Sequence, residues 1–152
     1  RVEALFVAAG ALRSGHFGIT GAQVSATELK AGRLRLSISF NHHSLIGDPT
    51  LGMVIYDERN HPILGSNTLF SPPRSKLAPS TGGTVTVFVD PLPLWSGSYR
   101  VSLWLSDGVS PLDHAESVLQ FDFVAPHVPP NVPPTALIGA TRVNAEWEFE
   151  HS

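Results

Sequence analysis

The feature that most constrains this chain is a strict two-residue alternation of apolar and polar side chains, repeated along most of its length. Within residues 33–40, Leu34, Leu36, Ile38 and Phe40 fall on one side and Arg33, Arg35, Ser37 and Ser39 on the other. The pattern recurs at residues 51–57 (Leu51, Met53, Ile55 against Gly52, Val54, Tyr56) and at 84–90 (Val85, Val87, Val89). It recurs again at 99–106 (Tyr99, Val101, Leu103, Leu105) and 118–124 (Leu119, Phe121, Phe123). A last case is residues 142–150, where Val143, Ala145, Trp147 and Phe149 alternate with polar residues. A period of two is the signature of strands that bury one face, as antiparallel sheets do. No long segment carries apolar residues at helical spacing. Turn signals separate the strands: Gly47-Asp48-Pro49, Arg59-Asn60-His61-Pro62, Gly82-Gly83, Pro91-Leu92-Pro93 and Ser96-Gly97. Many short strands joined by such turns predict an all-β, two-sheet antiparallel sandwich with Greek-key connections. The chain has no cysteine, so neither a disulfide staple nor a thiolate metal site is available.

Two stretches interrupt the pattern. Residues 71–80 (SPPRSKLAPS) read as a long exposed loop, and residues 126–134 (PHVPPNVPP) as a stiff, polyproline-like connector. The expected organisation is a sandwich over residues 1–125, a connector over 126–141 and a C-terminal strand over 142–152. A strand at the end of a stiff arm can join its own sheet edge or a neighbour's, and exchange between two copies is favoured. The abrupt RVEALFVAAG start without a methionine reads as a cut at a domain boundary.

Several function classes find no support. Net charge is −3, against nucleic-acid binding, and no apolar run approaches the ~18 residues of a membrane helix. The phosphate-loop, GxSxG and HExxH patterns are absent, so no catalytic residues and no metal ligands are assigned. His42 and His43 are adjacent on a strand and are expected on opposite faces, a poor ligand pair. Asp48, Asp57 and Asp107 at strand ends read as turn formers, with calcium binding as the lesser alternative, and Gly10, Gly15, Gly18 and Gly21 as turn glycines. Glu146, Glu148 and Glu150 read as a solvated edge.

Aromatic placement is more informative. Trp104 lies on the polar parity of its strand, between Ser102 and Ser106, and Tyr56 on the polar parity of another. If the strands share a sheet, one outer face carries Trp104, Tyr56, Arg100, Ser102, Gln120 and Asp122. Aromatic rings that stack on sugar C–H groups, beside amide, carboxylate and hydroxyl partners for the hydroxyls, form a carbohydrate site. The competing reading covers Trp104 with a loop or a dimer partner. Trp95 and Trp147 read as core or interface anchors.

Three segments carry a family resemblance: residues 46–68 (IGDPTLGMVIYDERNHPILGSNT), 87–107 (VFVDPLPLWSGSYRVSLWLSD) and 118–124 (VLQFDFV). Their P-x-x-G-x-x-I-x-D, G-x-N-T, P-L-x-x-G-x-Y and F-x-F-V patterns resemble the C-terminal carbohydrate-binding domain of the Wzt-type ATPase subunit of O-antigen ABC transporters. The resemblance implies an immunoglobulin-like sandwich without enzymatic activity of its own. It implies recognition of the non-reducing end of O-polysaccharide carried on undecaprenyl diphosphate, coupling chain completion to export. It further implies a homodimer, an attached ATPase domain that alone would hold ATP and Mg²⁺, a membrane permease as partner, and a place at the cytoplasmic face of the inner membrane. No cofactor is expected in this segment itself. Gly52, Asp57, Gly65, Asn67, Thr68, Gly97 and Tyr99 match the family as fold positions, not as a sugar site. The alternatives are a structural or adhesion sandwich of a secreted protein, and a small sugar-processing hydrolase.

Overall fold

A computed structural model describes residues 17–73 and 77–150. The alternating segments form seven strands: β1 (Gly18–Val24), β2 (Leu34–Ile46), β3 (Thr50–Tyr56), β4 (Pro62–Asn67), β5 (Ser80–Val89), β6 (Gly97–Ser106) and β7 (Pro111–Phe123). They build two antiparallel sheets, ordered β1-β2-β5 and β4-β3-β6-β7. Consecutive strands β2 and β3, β4 and β5, and β5 and β6 lie in different sheets, so the chain crosses between layers three times. This is the expected all-β, immunoglobulin-like sandwich.

The core is the inward parity of these strands. Leu36, Ile38, Met53, Ile55, Val101, Leu103, Leu105, Leu119, Phe121 and Phe123 are all buried. Val85, Val87 and Val89 are only partly buried because β5 is an edge strand, paired on one side by β2. Tyr99 closes one end. Its hydroxyl donates to the Trp95 carbonyl, satisfying a polar group that would otherwise be stranded in the core. Burial, with Glu58 and Asp57 nearby, pushes the Tyr99 phenol up to about 12.

Four local features depart from the sequence reading. Gly18 and Gly21, expected in turns, belong to β1, with a register shift between Ile19 and Gly21. Gly18 has φ +112°, and a Cβ there would stand 2.4 Å from Asp113 Oδ2. Only glycine lets β1 approach β7 this closely. The Ile19 amide donates to that same carboxylate oxygen at 2.8 Å. A short helix, α1 (Ala26–Lys30), follows, capped by Ser25, whose hydroxyl accepts from the Glu28 amide. Ser25-x-x-Glu28 is the sequence signature that announces it. The third departure is within β2, past Asn41. The His42 and His43 rings do not point apart but lie 4.3 Å centroid to centroid, where the β2–β5 register shifts.

The fourth concerns the C-terminal segment. The proline-rich stretch leads into a single helical turn, α2 (Thr135–Ile138), and folds back onto the sandwich. Leu94 and Thr141 form a bridge, the Trp95 amide donates to the Ala140 carbonyl, and the Arg142 amide to the Pro93 carbonyl. The Arg142 guanidinium lies 4.8 Å over the Trp95 ring and donates to the carbonyls of Pro126 and His127. The connector is therefore pinned to its own domain as far as residue 142, not held out as an arm. Residues 143–150 carry no helix or strand within this chain.

Candidate functional site

The outer face of the β4-β3-β6-β7 sheet is laid out in cross-strand rows. One row runs Asn67, Gly52, Trp104, His114; another runs Pro62, Tyr56, Arg100, Gln120; Ser98 faces Asp122 beyond it. Parity therefore places Trp104, Tyr56, Arg100, Gln120 and Asp122 on one face, as the alternation predicts. It does not bring them together. Trp104 and Arg100 are four residues apart along β6, about 13 Å at ~3.3 Å per residue. Arg100 donates to Asn60 Oδ1 at 2.7 Å, turned toward the β3–β4 turn. Asp122 accepts from the Ser98 hydroxyl, and Gln120 and Asp122 are exposed.

Ser102 departs from the expected set. It is only 1% exposed and cannot meet a ligand. In β7, three residues between Ala115 and Leu119 stand opposite Ser102 alone, forming a bulge. Ser117 sits there at φ +48°, and its amide donates to Ser102 Oγ at 2.9 Å. The bulge covers the hydroxyl and uses it to satisfy an amide outside the ladder.

At the Trp104 end the sheet carries an open groove of about 540 Å³. Gly52, facing Trp104 across the strand pair, leaves room beside the indole; a Cβ there would stand 3.3 Å from Asn67 Cβ. Val54 and Gly65 continue the floor, and Leu69 and Phe70 line the rim. Phe70, 65% exposed, is the residue that alternation missed. It lies in the turn after β4, beyond the reach of strand parity. The Gly65-Ser66-Asn67-Thr68 motif explains its presentation. Asn67 Oδ1 accepts from the Leu69 and Phe70 amides at 2.9 and 3.0 Å, and Thr68 exchanges bonds with Leu51 through its hydroxyl and amide. An Asx turn with this bonding turns both apolar side chains outward. Hydroxyl and amide groups at the groove come from Thr50, Ser66, Asn67 and Ser106, and no charged side chain lines it.

Trp104 is half-buried, and one cause is visible. The His114 imidazole stacks on the indole at 4.5 Å with an interplanar angle of 9°. Elsewhere the polar residues serve turns. Asp57 Oδ1 accepts from the Arg59 and His61 amides. Asp107 accepts from the Ser110 and Val109 amides, which holds its carboxyl below the ordinary aspartate value. Among the described residues no group of three or more His, Asp or Glu could hold a metal ion, and no helix is long and apolar enough to cross a membrane.

This sandwich carries the motif turns where the sequence resemblance puts them. The Wzt C-terminal domain family matches residues 16–134. The chain belongs to that family. Membership supports a role in an O-antigen ABC transporter, with this segment as a non-catalytic domain of it. A crystal structure of the C-terminal domain of wzt shares the fold, with a TM-score of 0.65 at 14% identity, covering 99% of this chain and 98% of that one. No curated protein matches the sequence.

Proposed function

We propose that this domain is a carbohydrate-binding module that receives the non-reducing end of O-antigen polysaccharide in the groove between Trp104 and Phe70. The observation that carries the reading is the groove itself: half-buried Trp104 and exposed Phe70 over a floor opened by Gly52, with neutral hydroxyl and amide groups at its rim. Its volume lies within the ~300–1,000 Å³ usual for small-molecule sites, enough for a terminal sugar and part of the next. The polysaccharide would arrive on undecaprenyl diphosphate at the cytoplasmic face of the inner membrane. Its capture would signal chain completion to the ATPase domain and permease.

The homodimer belongs to the same proposal. Trp147 is 92% exposed, on the same parity as Val143 and Ala145. Among the described residues β5 is paired on one side only, and beneath it a cleft of about 220 Å³ opens between the sheets beside Val85, Val87 and Val89. Residues 143–150 of a second copy, added along β5 with Trp147 inward, would fill that cleft and leave Glu146 and Glu148 in solvent.

Titration of the domain with O-polysaccharide from its source strain and from an unrelated strain, followed by NMR shifts, tests the reading. Saturable binding to the first alone, with shifts at Trp104 and Phe70, supports it. No binding by folded, dimeric protein refutes it in favour of a structural sandwich.

A further inference from the structure

Trp104 offers a ligand two indole faces, yet one is already taken. His114, its cross-strand neighbour on β7, stacks on it at 4.5 Å and 9°. The neighbour on the other side is Gly52, which presents no side chain, and there the groove opens toward Phe70. The backbone under His114 is itself fixed. Its amide donates to Asp113 Oδ1 at 2.9 Å, while Asp113 Oδ2 accepts from the Ile19 amide of the opposite sheet. That bond depends on the close approach allowed by Gly18. A line of contacts therefore runs from β1 through Asp113 and His114 to the indole.

We propose that His114 is a positioning residue for the Trp104 platform. It occupies the β7-side face, holds the ring upright, and confines sugar stacking to the β3-side face above Gly52. The proposal rests on the glycan reading of the groove. An indole standing on an exposed sheet face without this backing would sample other rotamers, and each would have to be restrained on binding. The imidazole supplies that restraint beforehand. Being exposed, it contributes little to the core.

The test uses 5-fluorotryptophan-labelled protein, whose three ¹⁹F signals are assigned by single Trp→Phe replacements. In His114→Ala, the H₂O-to-D₂O shift of the Trp104 signal should grow, because the second face meets solvent. His114→Phe should restore it. Titration with O-polysaccharide from the source strain should show about three- to tenfold weaker binding in His114→Ala, the range expected for loss of one aromatic stacking partner. Recovery in His114→Phe should accompany it, with the melting temperature of His114→Ala lowered by no more than the about 2–4 °C that loss of the stack implies. An unchanged ¹⁹F solvent shift in His114→Ala overturns the inference regardless of the polysaccharide result. So does full affinity in His114→Ala when Trp104→Ala has lost it. If neither replacement alters binding, the glycan reading of this groove falls, and the inference falls with it.

Discussion

Replacing Trp104 with alanine separates a binding role from a structural one, because the two predict different magnitudes. The indole is half-buried on the outer face, while its chain neighbours Leu103 and Leu105 are fully buried beneath it. Truncation removes the stack on His114, worth about 0.5–1.5 kcal/mol, and leaves no cavity in the core. The expected destabilisation is about 1 kcal/mol, a fall in melting temperature of about 2–4 °C for a domain of this size. A buried neighbour behaves otherwise: Leu103→Ala should cost about 2–5 kcal/mol. For binding, an aromatic platform under a stacked ring contributes about 1–3 kcal/mol, by analogy with base stacking. Trp104→Ala should therefore weaken polysaccharide binding about 5- to 150-fold. Isothermal titration with the source-strain polysaccharide, beside a thermal melt of the same sample, measures both quantities. A melting loss above about 10 °C with affinity intact would show that Trp104 is a packing residue, and the reasoning would be wrong.

Asn67→Ala removes the acceptor for the Leu69 and Phe70 amides; it should destabilise the domain by about 1–2 kcal/mol in a urea melt and weaken polysaccharide binding by releasing Phe70. Tyr99 has a folded-state pKa raised from 10.0 to about 12, so the neutral phenol is favoured by folding. Its contribution should be complete below pH 10 and disappear as pH rises from 10 to about 12, and Tyr99→Phe should flatten that part of a stability-against-pH curve. Truncation after Thr141 keeps the bridge to Leu94 but removes Trp147, and should convert a dimer to a folded monomer by sedimentation equilibrium. A truncated chain that still dimerises would count against strand exchange.

Alternation made the sandwich legible because burial on a sheet is periodic. Leu34, Leu36, Ile38, Leu51, Met53 and Ile55 all face inward as read. It failed wherever backbone geometry breaks the period. Ser102 has the parity of an exposed residue, but the β7 bulge at Ser117 lies over it. β1 escaped notice because glycines that look like turn formers serve a close approach between strands. Phe70 could not be found by parity at all, since an Asx turn, not a strand, sets its direction. The Gly65-Ser66-Asn67-Thr68 motif was visible, but it reads as fold chemistry until the residues after it are seen on a groove. His114 was hidden differently: its role depends on pairing with Trp104, and register across β6 and β7 cannot be read from either strand alone.

These failures share a physical meaning. The core of the sheet supplies only a floor, through Gly52 and Val54. The rim residue Phe70 is oriented by bonds outside the ladder, through Asn67, and the backing of Trp104 comes from His114, whose amide is held by Asp113 in its contact with β1. Inward residues of β3 and β6 are constrained by packing density, where one methylene is felt. Leu69, Phe70 and His114 are not, because each is partly or largely in solvent. On the proposed reading, substitution at Leu69 or Phe70 would alter what the groove accepts, and at His114 how Trp104 is held, while Leu103 and Leu105 stay packed in the core. Under the proposed glycan reading, a domain built this way could change the sugar it reads without changing how it folds, and the residues deciding specificity would be the ones a strand pattern leaves out.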